Sequence, residues 1–118
     1  NIILTGKLTA GETNKIIQKA DVFCLPSSKE GFSLALLEAM SLKKACIISS
    51  SQENFFENNK EILVFEKDNI DNLSQKILAI LDSSELKNTL GQNAYKKVHE
   101  KYTWDQQTDK YLDLINKI

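Results

Sequence analysis

Short apolar runs alternate with amphipathic segments along the first half of the chain. Four runs, rich in β-branched and aliphatic residues and bounded by glycine, proline or polar positions, are typical of strands. They lie at residues 2–5, 22–25, 45–48 and 62–65. Because these runs are almost wholly apolar, they predict parallel strands that are covered on both faces of a sheet.

Helical periodicity fills the rest of the chain. The segments 9–20 and 33–42 separate predicted strands, and apolar positions recur every three or four residues in 70–81, 86–101 and 104–118. Thr103 stands where it caps the last helix. This order predicts one α/β unit, a partial Rossmann-like parallel sheet of about four strands with helices around it and a helical C-terminal end.

A parallel sheet of this kind also predicts where a ligand binds. Ligands of doubly wound sheets lie beyond the carboxyl ends of the strands. The loops that follow Leu25, Ile48 and Phe65 are therefore the first candidates for a binding site.

Composition narrows the function classes. The 118 residues include 15 basic and 16 acidic side chains, so no broad positive field is available to attract nucleic acid, which is not expected as a partner. Cys24 and Cys46 each lie in an apolar run without the spacing of a metal or redox motif, and they are predicted to be inaccessible, reduced core thiols. The chain has no secretory leader pattern and no run of about 18 apolar residues, which predicts a cytoplasmic location.

The loop after the second predicted strand carries the most informative residues. Gly31 lacks a β-carbon and lets a ligand approach the backbone, and it immediately precedes the start of a predicted helix. The backbone N–H groups of Phe32, Ser33 and Leu34 would be the unpaired donors of that helix, which favour phosphate. In the alternative interpretation Gly31 only makes a turn and Ser33 only caps the helix.

Glu38 is the only ionisable residue between positions 32 and 42. Burying an unpaired carboxylate costs several kcal/mol, so Glu38 should either face water beside Ala35 and Ser41 or meet hydrogen-bond donors such as sugar hydroxyls. Glu30 and Glu38 would then flank a phosphate site. A nucleotide sugar has this order of parts, with a hydroxyl-rich sugar and a ribose on either side of a diphosphate.

These residues resemble a known signature. Glu30 and Glu38 lie in the string Pro-Ser-x-x-Glu-Gly-Phe-x-Leu-x-Leu-Leu-Glu-Ala-Met, which is similar to that of retaining glycosyltransferases with the GT-B fold, the glycosyl transferases group 1 family. The strand ending in Gly6, the Ala20-Asp21-Val22 segment and Tyr102-Thr103-Trp104 extend the resemblance along the whole chain.

The resemblance implies roles for the residues around the loop. Glu30 would lie beside the donor sugar as the catalytic residue, and Glu38 would bind ribose hydroxyls. The diphosphate would be held at the start of the helix, by Gly31 and by the backbone amides of Phe32, Ser33 and Leu34. Lys29 is either a phosphate ligand or a solvated surface charge. No metal or other cofactor is implied.

The family also implies a larger enzyme. A hexosyl group would pass with retention from a nucleoside diphosphate sugar to a saccharide or lipid-linked acceptor, in cell-surface polysaccharide or glycan synthesis. The acceptor would be held by an N-terminal domain, with peripheral association at the inner membrane face. The distance from Leu8 to Asp21 is too short for the opening of a donor domain, so residues 1–118 are expected to begin within that domain and to be inactive alone.

Two places depart from the family pattern. Lys43-Lys44-Ala45 stands where relatives usually have Gly-x-Pro, and the Gly-rich loop after the next strand is shortened to Ser49-Ser50-Ser51-Gln52. Glu53 is the candidate for a carboxylate that often follows that loop.

Two other classes of function fit the alternation of strands and helices alone. One is a non-catalytic nucleotide-binding or interaction module of flavodoxin-like topology. The other is a fragment that self-associates through an unpaired sheet edge.

Overall fold

The computed structural model describes residues 1–26, 33–50, 56–101 and 103–117. Within them, three strands form one parallel sheet in the order β1, β2, β3, with β1 at Val22–Leu25, β2 at Ala45–Ser49 and β3 at Leu63–Phe65. Phe23 is paired with Cys46, and Ile48 with Val64. Each strand is parallel to its neighbour, which confirms the predicted α/β class.

Five helices accompany the sheet. Helix α1 spans Ala10–Lys19, α2 Leu34–Ser41, α3 Ile70–Leu81, α4 Ser84–Lys101 and α5 Trp104–Asn116. These bounds confirm the predicted helices, since each begins and ends within about two residues of its predicted position.

Side-chain caps explain where several helices begin. Thr9 and Glu12 form a reciprocal capping box at the start of α1, and Thr103 forms the same arrangement with Gln106 at the start of α5. Such caps each contribute about 1 kcal/mol by pairing backbone N–H groups that a helix leaves without partners. Thr103 therefore has the predicted capping role.

Both faces of the sheet are covered. All five residues of β2 are buried, and the side chains of the first four alternate between two apolar clusters. Cys46 and Ile48 belong to the cluster that α1 and α2 cover, whereas Ala45 and Ile47 belong to the one that α3 covers. Helix α4 contributes to both clusters, as expected for strands that are apolar on both sides.

The predicted strand at residues 2–5 is wrong. These residues have no regular secondary structure, and Ile2, Ile3 and Leu4 are 92%, 83% and 92% exposed. A strand is stabilised by hydrogen bonding and packing against a neighbour, so an apolar run does not form one by propensity alone. Among the described residues the sheet therefore has three strands rather than four.

The two cysteines differ in burial. Cys46 is fully buried, as predicted, and this burial raises the pKa of its thiol to about 12. Cys24 is only partly buried because it lies on β1, which is an edge strand of the sheet that the described residues form, so the prediction that it is inaccessible is wrong. Burial raises its pKa as well. No described helix is long and apolar enough to cross a membrane.

Candidate functional site

A cavity of about 180 Å³ lies at the carboxyl edge of the sheet. Its wall includes one residue at the end of each strand, namely Pro26 after β1, Ser49 in β2 and Phe65 in β3. The start of α3 completes it with Lys67, Asp68, Asn69, Ile70 and Leu73. The cavity thus lies at the edge where the strand order predicts ligand binding.

The turn between β3 and α3 is held by local hydrogen bonds. Asp68 has a φ of 65°, and the Asn69 side chain caps α3 by accepting from the Asn72 N–H at 2.9 Å. The Lys67 N–H donates to Ser50 Oγ at 3.2 Å, which ties the end of β3 to the end of β2. This loop is among those predicted to bind a ligand, but its residues were not predicted as site residues, although Asn69 before an apolar periodic segment is a recognisable cap signal.

The N-terminus of α2 has the cap that the alternative interpretation assigned to Ser33, and the donor-binding role of Ser33 stays a prediction. Ser33 Oγ accepts from the Leu36 N–H at 3.3 Å, which satisfies one of the donors at the helix start. Leu34 is exposed there, while Leu36 and Met40 bury the opposite side of the helix in the core. A crossover helix runs antiparallel to its strands, so this N-terminus lies towards the carboxyl edge of the sheet.

Glu38 faces water on α2. Its exposed side chain lies on the same side of the helix as exposed Ala35, about 6 Å along the axis from the helix start. Glu38 was expected either to face water or to meet hydrogen-bond donors, and in the structure it faces water. The side chain is accessible to a ligand, and its ribose role stays a prediction.

Several other predicted site residues lie outside the described part of the chain. They are Lys29, Glu30, Gly31, Phe32 and Glu53. Their proposed roles beside the sugar and diphosphate therefore stay predictions. Among the described residues, no group of three or more His, Cys, Asp or Glu side chains could hold a metal ion.

The C-terminus of α2 is fixed by a Schellman turn. The Lys43 N–H donates to the Met40 carbonyl at 3.0 Å, and the Lys44 N–H donates to the Ala39 carbonyl at 3.2 Å. Lys43 has a φ of 61°, a conformation that glycine usually supplies and that costs other residues about 1–2 kcal/mol. This is the first position of the Lys43-Lys44-Ala45 departure from the family pattern.

Contacts with α4 accompany this unusual residue. Lys43 Nζ lies 4.8 Å from the centroid of the Tyr95 ring, and that ring stacks on His99 at 4.0 Å between centroids. A cation above an aromatic face contributes about 0.5–1 kcal/mol at an exposed site. The side chain of Lys43 therefore offsets part of the backbone strain at the end of α2.

Comparisons with known proteins identify the family to which the chain is similar. The model of the family "Glycosyl transferases group 1" matches residues 1–97. The chain is similar to the UDP-Gal:alpha-D-GlcNAc-diphosphoundecaprenol alpha-1,3-galactosyltransferase of Escherichia coli, with 32% identity over 101 residues, which cover 84% of this chain and 26% of that protein.

Two solved structures are also similar to the chain. The C-terminal domain of the group 1 glycosyl transferase LpcC from Francisella tularensis is 25% identical, with a TM-score of 0.76, over 87% of this chain and 53% of that one. S. aureus TarM, in complex with Fondaparinux, alpha-GlcNAc-glycerol and UDP, is 27% identical, with a TM-score of 0.79, over 88% of this chain and 22% of that one.

The first three curated relatives are considerably longer than the chain. It spans 30%, 24% and 28% of their lengths. The structural neighbours are glycosyltransferases with the GT-B fold, of which this α/β layer forms a part. The chain belongs to the glycosyl transferases group 1 family.

Proposed function

We propose that the chain is part of the donor-binding half of a retaining glycosyltransferase. In this proposal, residues 1–118 bind a nucleoside diphosphate sugar, and a preceding domain of the intact enzyme binds the acceptor. The observation that carries it is the arrangement of α2, whose capped N-terminus lies towards the carboxyl edge of the sheet while Glu38 is exposed farther along the helix.

Helix α2 supplies two kinds of group that suit such a donor. Backbone N–H groups at a helix N-terminus favour phosphate, because they carry partial positive charge and lack intrahelical partners. A carboxylate accepts hydrogen bonds from ribose hydroxyls, and bonds to a charged group are stronger than neutral ones. The proposal assigns the diphosphate to residues 31–34, the ribose to Glu38 and the sugar to Glu30.

The relatives support the choice of substrates. The name of the Escherichia coli relative specifies a UDP-linked donor and an acceptor attached to diphosphoundecaprenol, and TarM was crystallised with UDP. We therefore infer a role in cell-surface polysaccharide or glycan synthesis, at the cytoplasmic face of the membrane. No metal ion takes part in this proposal, so chelators should leave the activity of the intact enzyme unchanged.

A thermal-shift experiment tests donor binding by the chain itself. Uridine or guanosine diphosphate should raise its Tm, whereas inorganic phosphate and flavin mononucleotide should not. An equal shift with the flavin would favour the alternative of a non-catalytic module with flavodoxin-like topology. No shift with either diphosphate would contradict the proposal.

Replacement of Glu38 tests the ribose contact. Glu38→Ala removes hydrogen bonds to a charged acceptor, each on the order of 1.5 kcal/mol at the low end of the usual range, so nucleotide affinity should fall about tenfold. Glu85→Ala, which removes another exposed carboxylate from α4, is the matched control and should leave affinity unchanged. Equal affinities for the two variants would refute the role of Glu38.

Transfer activity is expected only in the intact enzyme. Holding the acceptor near the sugar carbon lowers the barrier to transfer by about 7–11 kcal/mol in favourable cases. In the intact enzyme the preceding domain would hold the acceptor. The chain incubated with labelled nucleotide sugars and lipid-linked acceptors should therefore form no glycoside. Product that disappears with Glu30→Ala would place the complete catalytic machinery within these residues.

A further inference from the structure

The docking of α2 on α4 links the core of the protein to the proposed donor site. Helix α4 contributes to both apolar clusters, with Leu90 in one and Ala94 and Val98 in the other. Gly91 is buried between these positions. A β-carbon at residue 91 would overlap the Lys43 carbonyl oxygen and lie 3.0 Å from the carbonyl carbon.

The Lys43 side of this contact is fixed by backbone hydrogen bonds. The atoms of Lys43 that meet Gly91 belong to the backbone of the Schellman turn, which two hydrogen bonds hold in place. A backbone group in such a turn cannot rotate away as the end of a flexible side chain can. A side chain at position 91 would therefore displace either the turn or α4 itself.

Displacement of the turn would move α2 as a body. The helix has only eight residues and no break, and Leu36, Ala39 and Met40 anchor it in the core. Helix α2 is therefore one rigid element that leads into the turn at Lys43. It fixes the positions of the backbone amides near Ser33 and of the exposed Glu38. Hydrogen bonds weaken steeply with distance and angle, so a shift of about 1 Å at this element would misalign both groups.

We propose that Gly91 is a positioning residue for donor binding, because it lets α4 hold the C-terminal turn of α2 at the depth that the diphosphate and ribose contacts require. This inference rests on the proposed function. Tyr95 supports the same contact from one turn farther along α4, where its ring faces the Lys43 ammonium group.

Nucleotide affinity, measured apart from stability, tests the proposal. Calorimetric titration of the chain with uridine diphosphate should give at least a fivefold higher Kd for Gly91→Ala than for the unsubstituted chain. The measurement is made at a temperature where circular dichroism indicates that each protein is fully folded. Gly11→Ala in α1 is the matched substitution, because no atom lies within 4 Å of the added methyl group, and it should leave Kd unchanged.

A destabilised control separates positioning from general loss of stability. Ile80→Ala opens a cavity in the cluster on the other face of the sheet and should lower Tm without changing Kd. If Gly91→Ala does not fold, Tyr95→Leu decides, since it removes the aromatic face without a clash and should raise Kd about twofold.

Each result has a definite meaning. A lower Tm for Gly91→Ala with an unchanged Kd would overturn the positioning role and leave the proposed function intact. If only Tyr95→Leu folds, an unchanged Kd in that variant would likewise overturn the positioning role. Equal rises in Kd for Gly91→Ala and Ile80→Ala would also overturn it. Failure of the unsubstituted chain to bind uridine diphosphate would contradict the proposed function, and this inference with it.

Discussion

The ion pair between Lys97 and Glu61 joins α4 to the turn before β3. Lys97 Nζ lies 3.4 Å from Glu61 Oε1, and the two side chains are only 21% and 7% exposed. The other carboxylate oxygen of Glu61 accepts from the Glu57 N–H at 3.1 Å. This carboxylate is therefore buried with two specific partners, and loss of one partner has a calculable effect.

The two ends of the pair should respond unequally to substitution. Lys97→Met keeps the apolar stem but leaves a buried carboxylate without its cation, a change that costs about 3–5 kcal/mol when burial is complete. Because Lys97 is partly exposed and the Glu57 N–H remains, we expect about 2–3 kcal/mol. Glu61→Gln keeps an acceptor for that N–H, and the flexible Lys97 reaches water, so its cost should be about 1 kcal/mol.

Urea unfolding followed by circular dichroism measures these free energies. Lys96→Met is the matched control, because the neighbouring lysine is 73% exposed and makes a 4.0 Å pair with Glu100 one turn away. Exposed pairs of this kind contribute little, so the control should change the free energy of unfolding by less than about 0.5 kcal/mol. A cost for Glu61→Gln equal to that of Lys97→Met, or equal free energies of unfolding for the two lysine variants, would refute the predicted role of the buried carboxylate.

Three further predictions concern the thiols and a helix start. A thiol reagent should modify Cys24 faster than Cys46 in the folded chain, and equal rates would contradict the difference in burial. Burial raises the Cys46 pKa from 9.0 to about 12, so as the pH rises the thiol ionises in the unfolded state before it ionises in the folded state. The free energy of unfolding should therefore fall by about 1.4 kcal/mol between pH 8 and pH 10. Cys46→Ala should make this alkaline decline shallower, and an unchanged slope would refute the assignment. Gly11→Ala should raise the free energy of unfolding by about 0.5 kcal/mol, and a decrease would contradict the open surroundings of that residue.

Local patterns predicted most elements of the fold. The strands β1, β2 and β3 are short apolar runs, and the helices have regular apolar stripes with Thr9 and Thr103 at their starts. Such signals are contained within a few residues of sequence. Residues 2–5 have the same apolar pattern as the strands, but pairing with a neighbour is a property of the whole sheet, and the run alone does not encode it.

The candidate site was predictable only in part. Its position followed from the parallel order of the strands, and Ser33 followed from its place before an apolar helix. The contact between Gly91 and the Lys43 carbonyl joins residues far apart in the sequence, and no local pattern indicates it. Lys43 itself was noted as a departure from the family pattern, but its left-handed conformation becomes visible only in the structure.

The way α4 contributes to both apolar clusters has a consequence for biosynthesis. The strands are adjacent in the order in which they are made, so each can pair as soon as the next leaves the ribosome. Leu90 and Val98, however, complete opposite faces of the sheet from one continuous helix. We therefore expect this part of the nascent chain to remain loosely ordered and accessible to chaperones until about residue 101 has emerged, and then to become protease-resistant in a single step.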